Sequence, residues 1–365
     1  MGPQYYSHIY LLLITLLSIL VFSQYSSYSQ LRLINRRRQK GVGVVVLMLF
    51  LVLFIGLRPI SQRYFVDMVT YATVYQIRFG DTFYFNWQTE NIIFDNFYNF
   101  LSSQKIPIVY FFLSIAAIYF VCMAWACSSL FPKDKMAAFL VYLGAFSTFS
   151  YGTNGIKAGA AASLFLVALA MREKKKWLWT IVFILLSWGF HHSMVLPIAA
   201  FVICIFVENP KWFFAFWALC FFMALFHVTA FQELFAGFSD EIGAVYLSGS
   251  EEHVRHDLLG GFRIDFIIYS AVPIVFGWIA VFKKHIVSKK YMFLLNLYTL
   301  INSIWLLCMY ANFTNRISYL SWLMLPIVLI YPFLKERWGR NQYKTFQWVV
   351  FGHLAFTLFM YYIFY

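Results

Sequence analysis

The sequence predicts an all-α, polytopic integral membrane protein with about 12 transmembrane helices and two longer extracytoplasmic loops. Of its 365 residues, 62% are hydrophobic and 22% are aromatic, whereas only 12% are Asp, Glu, Lys or Arg. A water-soluble domain of this size could not cover its surface with so few charges. Because one crossing needs about 20 apolar residues, the composition suits about a dozen spans.

Apolar runs separated by charged or turn-forming clusters define the spans in chain order. The first eight are predicted at 7–23, 42–56, 108–131, 136–151, 157–171, 177–190, 193–207 and 212–229. The last four are predicted at 264–282, 291–309, 317–334 and 346–364. Several spans are short, so one short pair also fits a re-entrant hairpin. The connections at 57–107 and 230–263 are the two outer loops, and we expect 1–365 to form a single transmembrane domain.

Along the chain, connections that are rich in Lys and Arg alternate with connections that contain few of them. One set of loops holds 20 of the 28 basic residues and only 4 of the 15 acidic residues. By the positive-inside rule these loops are cytoplasmic, which places both termini outside. The net charge of +13 therefore sets the orientation in the membrane, and nucleic-acid binding is excluded. The first span has no basic region before it, so we interpret it as an N-out anchor and not as a cleaved signal peptide.

Several function classes are disfavoured by what the sequence lacks. The cytoplasmic connections are short and contain no P-loop, so we expect no direct use of ATP. The five cysteines lie inside apolar spans without CxxC spacing, which is typical of buried structural thiols. No DxD or HExxH motif occurs, and we therefore expect neither a cofactor nor a metal-dependent mechanism.

Polar side chains gather where the predicted spans end at the outer face. An ionised group near a helix centre costs at least about 2.5–3.5 kcal/mol, so charges that are retained near the membrane indicate function. In chain order these polar residues are Arg58, Arg63, Asp67, Tyr71, Asn154, Lys157, His191, His192, Asn315 and Arg316. Cations beside helix ends at one membrane face suit a lipid diphosphate headgroup.

Each of these residues also has a structural interpretation. Arg58 would then be an interfacial arginine that anchors the turn fixed by Pro59. Asp67 lies four residues after Arg63, which is the spacing of a helical ion pair. The tyrosines beside Asp67 suit a sugar site or an interfacial aromatic belt. Snorkelling would explain Lys157, and a simple polar turn would explain the two adjacent histidines.

Several short motifs follow one another along the chain in a recognisable order. They are Gly56-Leu57-Arg58, Phe65-Val66-Asp67-Met68 with Tyr71, Asn154-Gly155-Ile156-Lys157-Ala158-Gly159, His191-His192-Ser193-Met194 and Asn315-Arg316-Ile317-Ser318-Tyr319. This order resembles the EpsG family of the Wzy-like polysaccharide polymerases, and Glu90 with Phe94 after it fits the region before the third span. The family more often has arginine where Lys157 stands, and lysine lacks the bidentate fork of arginine.

The resemblance implies a membrane glycosyltransferase of surface-glycan assembly, of the capsule, exopolysaccharide or O-antigen type. Such polymerases join oligosaccharide repeat units carried on undecaprenyl diphosphate in the membrane lipid. They move the growing chain from its lipid onto the next lipid-linked unit. The implied location is the bacterial inner membrane with the active site facing the periplasm, and the implied partners are other polysaccharide assembly proteins.

Within this reaction we expect a metal-independent glycosyl transfer. Basic side chains would bind the diphosphate and stabilise its departing charge, and a carboxylate or imidazole would act as general base. The expected catalytic residues are Asp67 as first choice for the base, Arg58, Arg316, His191, His192 and Glu90. The expected substrate-binding residues are Arg63, Tyr71, Asn154, Lys157 and Asn315.

Three other functions remain open. Another polyprenyl-dependent glycosyltransferase, or a ligase, would move a finished glycan to a different acceptor. A transporter or flippase of lipid-linked glycans usually carries ionisable groups near the midplane between repeated halves, whereas these charges crowd one face and no repeat is visible. An O-acyltransferase would use an intramembrane histidine and would leave the arginines without a role.

Overall fold

The protein is described by a computed structural model over residues 1–27, 40–231, 261–311 and 314–364. Every regular element in these ranges is helical, which confirms the all-helical fold class. Most of the predicted outer loop 230–263 and the basic residues from Arg32 to Arg38 lie outside the described residues. The five cysteines are all buried, as predicted.

The chain divides into two compact units, one formed by Met1–His191 with Arg340–Tyr365 and the other by His192–Gly339. The helices of the first unit are α1 (Tyr5–Phe22), α2 (Val42–Gly56), α3 (Val66–Ile77), α4 (Ile92–Ser103), α5 (Ile108–Leu130), α6 (Lys135–Leu143), α7 (Thr148–Thr153), α8 (Ile156–Glu173), α9 (Trp177–Phe190) and α16 (Gln342–Phe359). The helices of the second unit are α10 (Val195–Phe206), α11 (Pro210–Leu225), α12 (Ile264–Trp278), α13 (Lys289–Leu307), α14 (Thr314–Trp322) and α15 (Leu325–Lys335). The single transmembrane domain expected from the sequence stays a prediction.

Helix length and composition support a membrane protein. Within the described ranges, the segments long and apolar enough to cross a bilayer are Tyr5–Tyr25, Ile108–Leu130, Ile264–Lys283, Thr314–Lys335 and Gln342–Phe364. Shorter apolar helices are Val42–Gly56, Trp177–Phe190, His192–Phe206 and Pro210–Leu225. These findings support several membrane spans, but they do not confirm the predicted number of 12.

The predicted span 136–151 is interrupted, because α6 ends at Leu143 and α7 begins at Thr148. The nine residues of α6 cover only about 14 Å, well short of the hydrocarbon thickness of a bilayer. Side chains from distant segments satisfy the carbonyl groups that the interruption leaves open. Tyr10 donates its hydroxyl to the Leu143 carbonyl (2.7 Å), and Thr357 donates to the Gly144 carbonyl (2.7 Å). Irregular backbone is tolerated inside a membrane protein only when its polar groups are satisfied in this way.

Two further helices, α3 and α4, lie in the first predicted outer loop and pack against each other. The hydroxyl of Tyr98 on α4 donates to the Tyr71 carbonyl on α3, and Ser102 donates to the Tyr75 carbonyl (2.8 Å). The buried Tyr75 in turn donates its hydroxyl to the Ile106 carbonyl (2.7 Å), just before α5. These bonds fix α3 and α4 to each other and to the start of α5, a long apolar helix.

The core of the first unit contains α8, which packs between α5 and α9. Its small residues let neighbouring backbone approach closely. At Gly159, an added Cβ would lie 2.7 Å from the Tyr151 carbonyl oxygen on α7. Ser187 on α9 donates its hydroxyl to the Ala161 carbonyl (2.7 Å) and so ties α9 to the same stretch of α8. The turn between α7 and α8 is therefore held tightly.

In the second unit, buried polar contacts connect α13 to α14. Trp305 on α13 donates its indole N–H to Thr314 Oγ1 (2.9 Å), at the start of α14. Asn302 donates to Ser321 Oγ (3.1 Å) and accepts from the indole N–H of Trp217 (2.8 Å). These directional bonds determine where the first turn of α14 lies within this unit.

Alanine at Gly159 should destabilise the protein, because the Tyr151 carbonyl oxygen is backbone and has little freedom to move away. We expect G159A to lose about 1–3 kcal/mol, seen as a lower midpoint of thermal unfolding in detergent. The matched control is G352A in α16, where no atom of the described chain lies within 4 Å of an added Cβ. That variant should be neutral or up to about 1 kcal/mol more stable. Equal midpoints for the two variants would contradict the close approach of α7 and α8.

Candidate functional site

Lys157 lies beside a cluster of aromatic rings from three other helices. Its Nζ is 5.7 Å from the centroid of the Phe94 ring on α4. The Phe94 ring lies 5.8 Å from the ring of Tyr71 on α3 and 6.2 Å from the ring of Phe190 at the end of α9. We call Lys157, Tyr71, Phe94 and Phe190 the Lys157 cluster. An ammonium group over an aromatic face is stabilised electrostatically, so the rings help to hold the cation in place.

The position of Lys157 on its helix is electrostatically unusual. It occupies the first turn of α8, whose N-cap residue Gly155 provides no side-chain hydrogen bond. A cation at a helix N-terminus faces the positive end of the helix dipole, which costs about 0.3–1 kcal/mol. Because Lys157 is only half-buried, an anion bound there would interact with both the ammonium group and the helix end. The chemistry of this cluster therefore favours an anionic ligand.

Asn154 lies directly before this helix, between α7 and α8. Its Oδ1 is buried and accepts no hydrogen bond from any residue that the structure describes. A buried amide oxygen that lacks a donor costs free energy, about 1–3 kcal/mol. Asn154 can therefore accept a hydrogen bond from a ligand hydroxyl or a water molecule.

Arg58 lies two residues after the end of α2 and is only 3% exposed. Its Nη1 donates to the Ile55 carbonyl (2.7 Å), and its Nη2 donates to the Thr153 carbonyl (2.6 Å). The guanidinium carbon lies 5.4 Å from the Phe65 ring centroid and 5.5 Å from the Phe112 ring centroid. Burial lowers the pKa of Arg58 to about 10, so the group is still charged at neutral pH.

The two carbonyl groups bound by Arg58 belong to the C-terminal ends of α2 and α7. Helix C-termini carry partial negative charge, so a cation is favoured there. Thr153 directly precedes Asn154, and the bond from Arg58 therefore fixes the turn that leads to Lys157. This geometry supports the anchoring interpretation of Arg58, while its expected contact with a diphosphate stays a prediction.

The acidic candidates lie on α3 and just before α4. Asp67 is half-buried in the first turn of α3, one helical turn before Tyr71, and Glu90 is exposed just before α4. Arg63 is exposed in the turn that precedes α3, with its guanidinium carbon 5.6 Å from the centroid of the Tyr64 ring. Because α3 begins only at Val66, the helical spacing that suggested an Arg63–Asp67 ion pair does not apply.

The two adjacent histidines fall in different units. His191 ends α9 in an extended conformation and directly follows Phe190 of the Lys157 cluster. His192 begins a short 3-10 turn, His192–Met194, in the second unit. Both side chains are half-buried. Of the two, His191 is the one that the chain connects directly to the cluster.

The remaining basic candidate opens a helix in the second unit. Arg316 is exposed in the first turn of α14, and the neighbouring Asn315 is half-buried. The Asn315 carbonyl accepts a hydrogen bond from Ser318 (2.8 Å). As with Lys157, a cation occupies the start of a helix, where the dipole disfavours it. The expected role of Arg316 in phosphate binding stays a prediction.

The structure thus brings Tyr71 and Lys157 together through a ring that the sequence did not single out as a site residue. In the sequence, Phe94 belongs only to the region that fits before the third span, and Phe190 is only the last residue of the predicted span 177–190. A signal for Phe190 was its position directly before the His-His-Ser turn. No local signal marked Phe94 as the ring beside Lys157, because that contact joins residues 63 positions apart.

Fold and site together define a helical membrane protein with a cation and aromatic rings at the start of a buried helix. A profile of the EpsG family matches residues 41–365, and the chain therefore belongs to the EpsG family. This confirms the resemblance seen in the sequence and indicates a polysaccharide polymerase-like membrane protein. Comparisons with curated proteins and with solved structures found no match.

Removing the guanidinium of Arg58 should loosen the turn before Lys157. In R58A the Ile55 and Thr153 carbonyls lose their donor, and we expect a loss of about 2–4 kcal/mol in unfolding free energy. Amide hydrogen exchange should also speed up around Thr153. The matched control is R63A, which removes an exposed arginine and should change stability by no more than about 0.5 kcal/mol. If both variants unfold alike and exchange alike, Arg58 does not hold this turn.

Proposed function

We propose that the protein is a polysaccharide polymerase of the bacterial inner membrane with its active site at the periplasmic face. It would transfer a growing glycan from undecaprenyl diphosphate to the next undecaprenyl-diphosphate-linked repeat unit. Family membership supports the class of reaction. The charge bias of the loops supports the orientation, because the basic connections favour the cytoplasmic side.

The observation that carries the site assignment is the Lys157 cluster. A half-buried ammonium at a helix start favours an anionic group, and the adjacent rings of Tyr71 and Phe94 offer apolar faces beside it. A lipid diphosphate joined to a sugar provides both an anionic group for the ammonium and a sugar face for the rings. We therefore assign Lys157 to the diphosphate and Tyr71 to the sugar next to it, with Asn154 as a hydrogen-bonding group for the substrate.

In the proposed reaction, an acceptor hydroxyl oxygen forms a bond to the anomeric carbon of the donor glycan. The bond from that carbon to the diphosphate oxygen breaks, and undecaprenyl diphosphate leaves with the bonding electron pair. The hydroxyl proton passes to a general base, for which Asp67 is our first choice. Negative charge grows on the leaving diphosphate, so Lys157 would stabilise the transition state more than the ground state.

The other candidates have supporting parts in this proposal. We assign Arg58 to positioning, because its donors are directed to the Ile55 and Thr153 carbonyls. Glu90 and His191 remain reserves for the general base, and His192 is a weaker reserve. Arg316 is proposed to be required for transfer as a second cation at a helix start.

Loss of the Lys157 charge should impair polymerisation. We expect K157A to shorten the surface glycan and to reduce transfer by about 10²-fold or more, because one preorganised electrostatic contact is lost. The conservative variant K157R should keep part of the activity. R316A should shorten the glycan as well, whereas K105A, which removes an exposed lysine of the predicted outer loop 57–107, should not. Long chains of normal yield from K157A, at normal membrane expression, would exclude this diphosphate site.

Replacement of the proposed base tests the chemistry separately from binding. D67N should lower kcat by about 10²–10⁴-fold with little effect on KM, because the carboxylate acts on the acceptor proton in the transition state. D81N, at an exposed carboxylate of the same loop, is the control. The assay supplies purified protein with lipid-linked repeat units alone and resolves the products by length. A ladder supports a polymerase, whereas products that form only with a second acceptor would indicate a ligase.

A further inference from the structure

The segment between α3 and α4 displays large aromatic side chains on its surface. Tyr84 is 79% exposed and Trp87 is 78% exposed, and Phe85 between them is 47% exposed. The ring centroids of Phe85 and Trp87 lie 4.5 Å apart. We call Tyr84, Phe85 and Trp87 the outer aromatic platform. Contiguous patches of exposed apolar side chains often mark an interaction site, whereas single exposed apolar residues do not.

Hydrogen bonds hold the backbone of this segment along α4. Its beginning is fixed by a bond from the Gly80 N–H to the Ser102 carbonyl (3.0 Å). Its middle is fixed at Asn86, whose N–H donates to Asn96 Oδ1 (2.7 Å) and whose carbonyl accepts from Asn96 Nδ2 (2.9 Å). Asn96 is itself only 4% exposed. The rings are therefore presented on an ordered support, which lowers the entropy cost of binding a ligand.

The charge of the segment argues against an anionic lipid surface as its partner. Between the flanking Arg78 and Lys105, residues 79–104 contain Asp81, Glu90 and Asp95 and no basic residue, so the region carries no basic cluster. Segments that dock on anionic leaflets carry basic clusters, each cation contributing about 1 kcal/mol. Here the aromatic rings are interspersed instead with Asn86 and Gln88, whose side-chain amides are able to donate and accept hydrogen bonds. Flat apolar faces with hydrogen-bonding groups between them match a polyhydroxylated sugar.

The platform also adjoins the end of α4 that forms the Lys157 cluster. Asn96 donates to the Ile92 carbonyl (2.7 Å) as well as to Asn86, so Trp87 is held near the N-terminal end of α4. Phe94, the ring beside Lys157, belongs to that same end. A glycan that begins at a diphosphate near Lys157 can therefore continue along α4 onto the exposed rings.

We propose that Tyr84 and Trp87 form a saccharide-binding subsite that holds the growing glycan several sugars away from the transferred bond. This inference rests on the proposed function, because it assumes a lipid-linked glycan at the Lys157 cluster. Such a subsite keeps the chain bound between transfers and so raises the length of the product. It needs no part in the chemistry of a single transfer.

The test measures sugar binding and chain length separately. The probe is a set of oligosaccharides, free of lipid, released by partial acid hydrolysis from the surface polysaccharide of the source strain. Binding to purified protein in nanodiscs is followed by saturation-transfer NMR for the wild type, Y84A, W87A and W87F. The matched control is W212A, which removes a tryptophan that is 69% exposed in the second unit.

We expect Y84A and W87A to weaken binding at least about tenfold and to yield shorter chains at an unchanged rate of the first transfer. W87F should keep most of the binding, and W212A should match the wild type. Unchanged binding and chain length in both Y84A and W87A would overturn the subsite. Quenching of the Trp87 emission, taken as wild type minus W87F, by brominated lipids in the nanodisc would also overturn it, since the ring would then lie in the membrane.

The same data separate the two proposals. Protein that binds the oligosaccharides through Trp87 but forms no ladder from lipid-linked units would refute the polymerase and keep the saccharide subsite. Protein that forms a normal ladder with Y84A and W87A would refute the subsite and keep the polymerase.

Discussion

Two helix C-termini in the first unit share one buried cation, Arg58. Taking a charge out of water costs several kcal/mol, and here the cost is offset by charge-assisted hydrogen bonds to the Ile55 and Thr153 carbonyls and by two flanking aromatic rings. Because the two carbonyls come from α2 and α7, the guanidinium sets the distance between those helix ends. The turn into α8 follows directly from α7, so the position of Lys157 depends on this contact.

Each unit places a cation at the start of a helix, and each does so with a different set of buried polar contacts. In the first unit, carbonyl groups freed by the interruption after α6 accept hydroxyl hydrogen bonds, and Arg58 closes the end of α7. In the second unit, the bond from Trp305 to Thr314 fixes the start of α14, two residues before Arg316. A lipid environment does not satisfy open backbone groups, so such bonds are required wherever a helix begins or ends within it. The helix starts are thus defined by side chains of neighbouring helices.

Much of the fold is predictable from local sequence, and most of the site is not. The predicted spans 42–56 and 177–190 coincide with α2 and α9. At the ends of both spans, basic residues, glycine or histidine interrupt the apolar run. The span 136–151 is interrupted instead, since the partners that satisfy the break, Tyr10 and Thr357, are far away in the chain. For the same reason, the sequence does not predict the ring beside Lys157 or the bond from Arg58 to the Thr153 carbonyl. Periodicity identifies apolar faces but not the contacts that charged side chains make across them.

The choice of lysine over arginine at the start of α8 has a consequence for the proposed reaction. A polymerase must release undecaprenyl diphosphate after every transfer, so tight bidentate binding of the leaving group would slow each cycle. An ammonium group is a point charge without a rigid fork, and it allows the diphosphate to shift as the glycosidic bond breaks. Its attraction grows with the charge on the leaving oxygen, which favours the transition state over the bound substrate. The helix dipole disfavours the Lys157 cation but favours an anion bound beside it, and the cluster is therefore suited to a ligand that binds and leaves repeatedly.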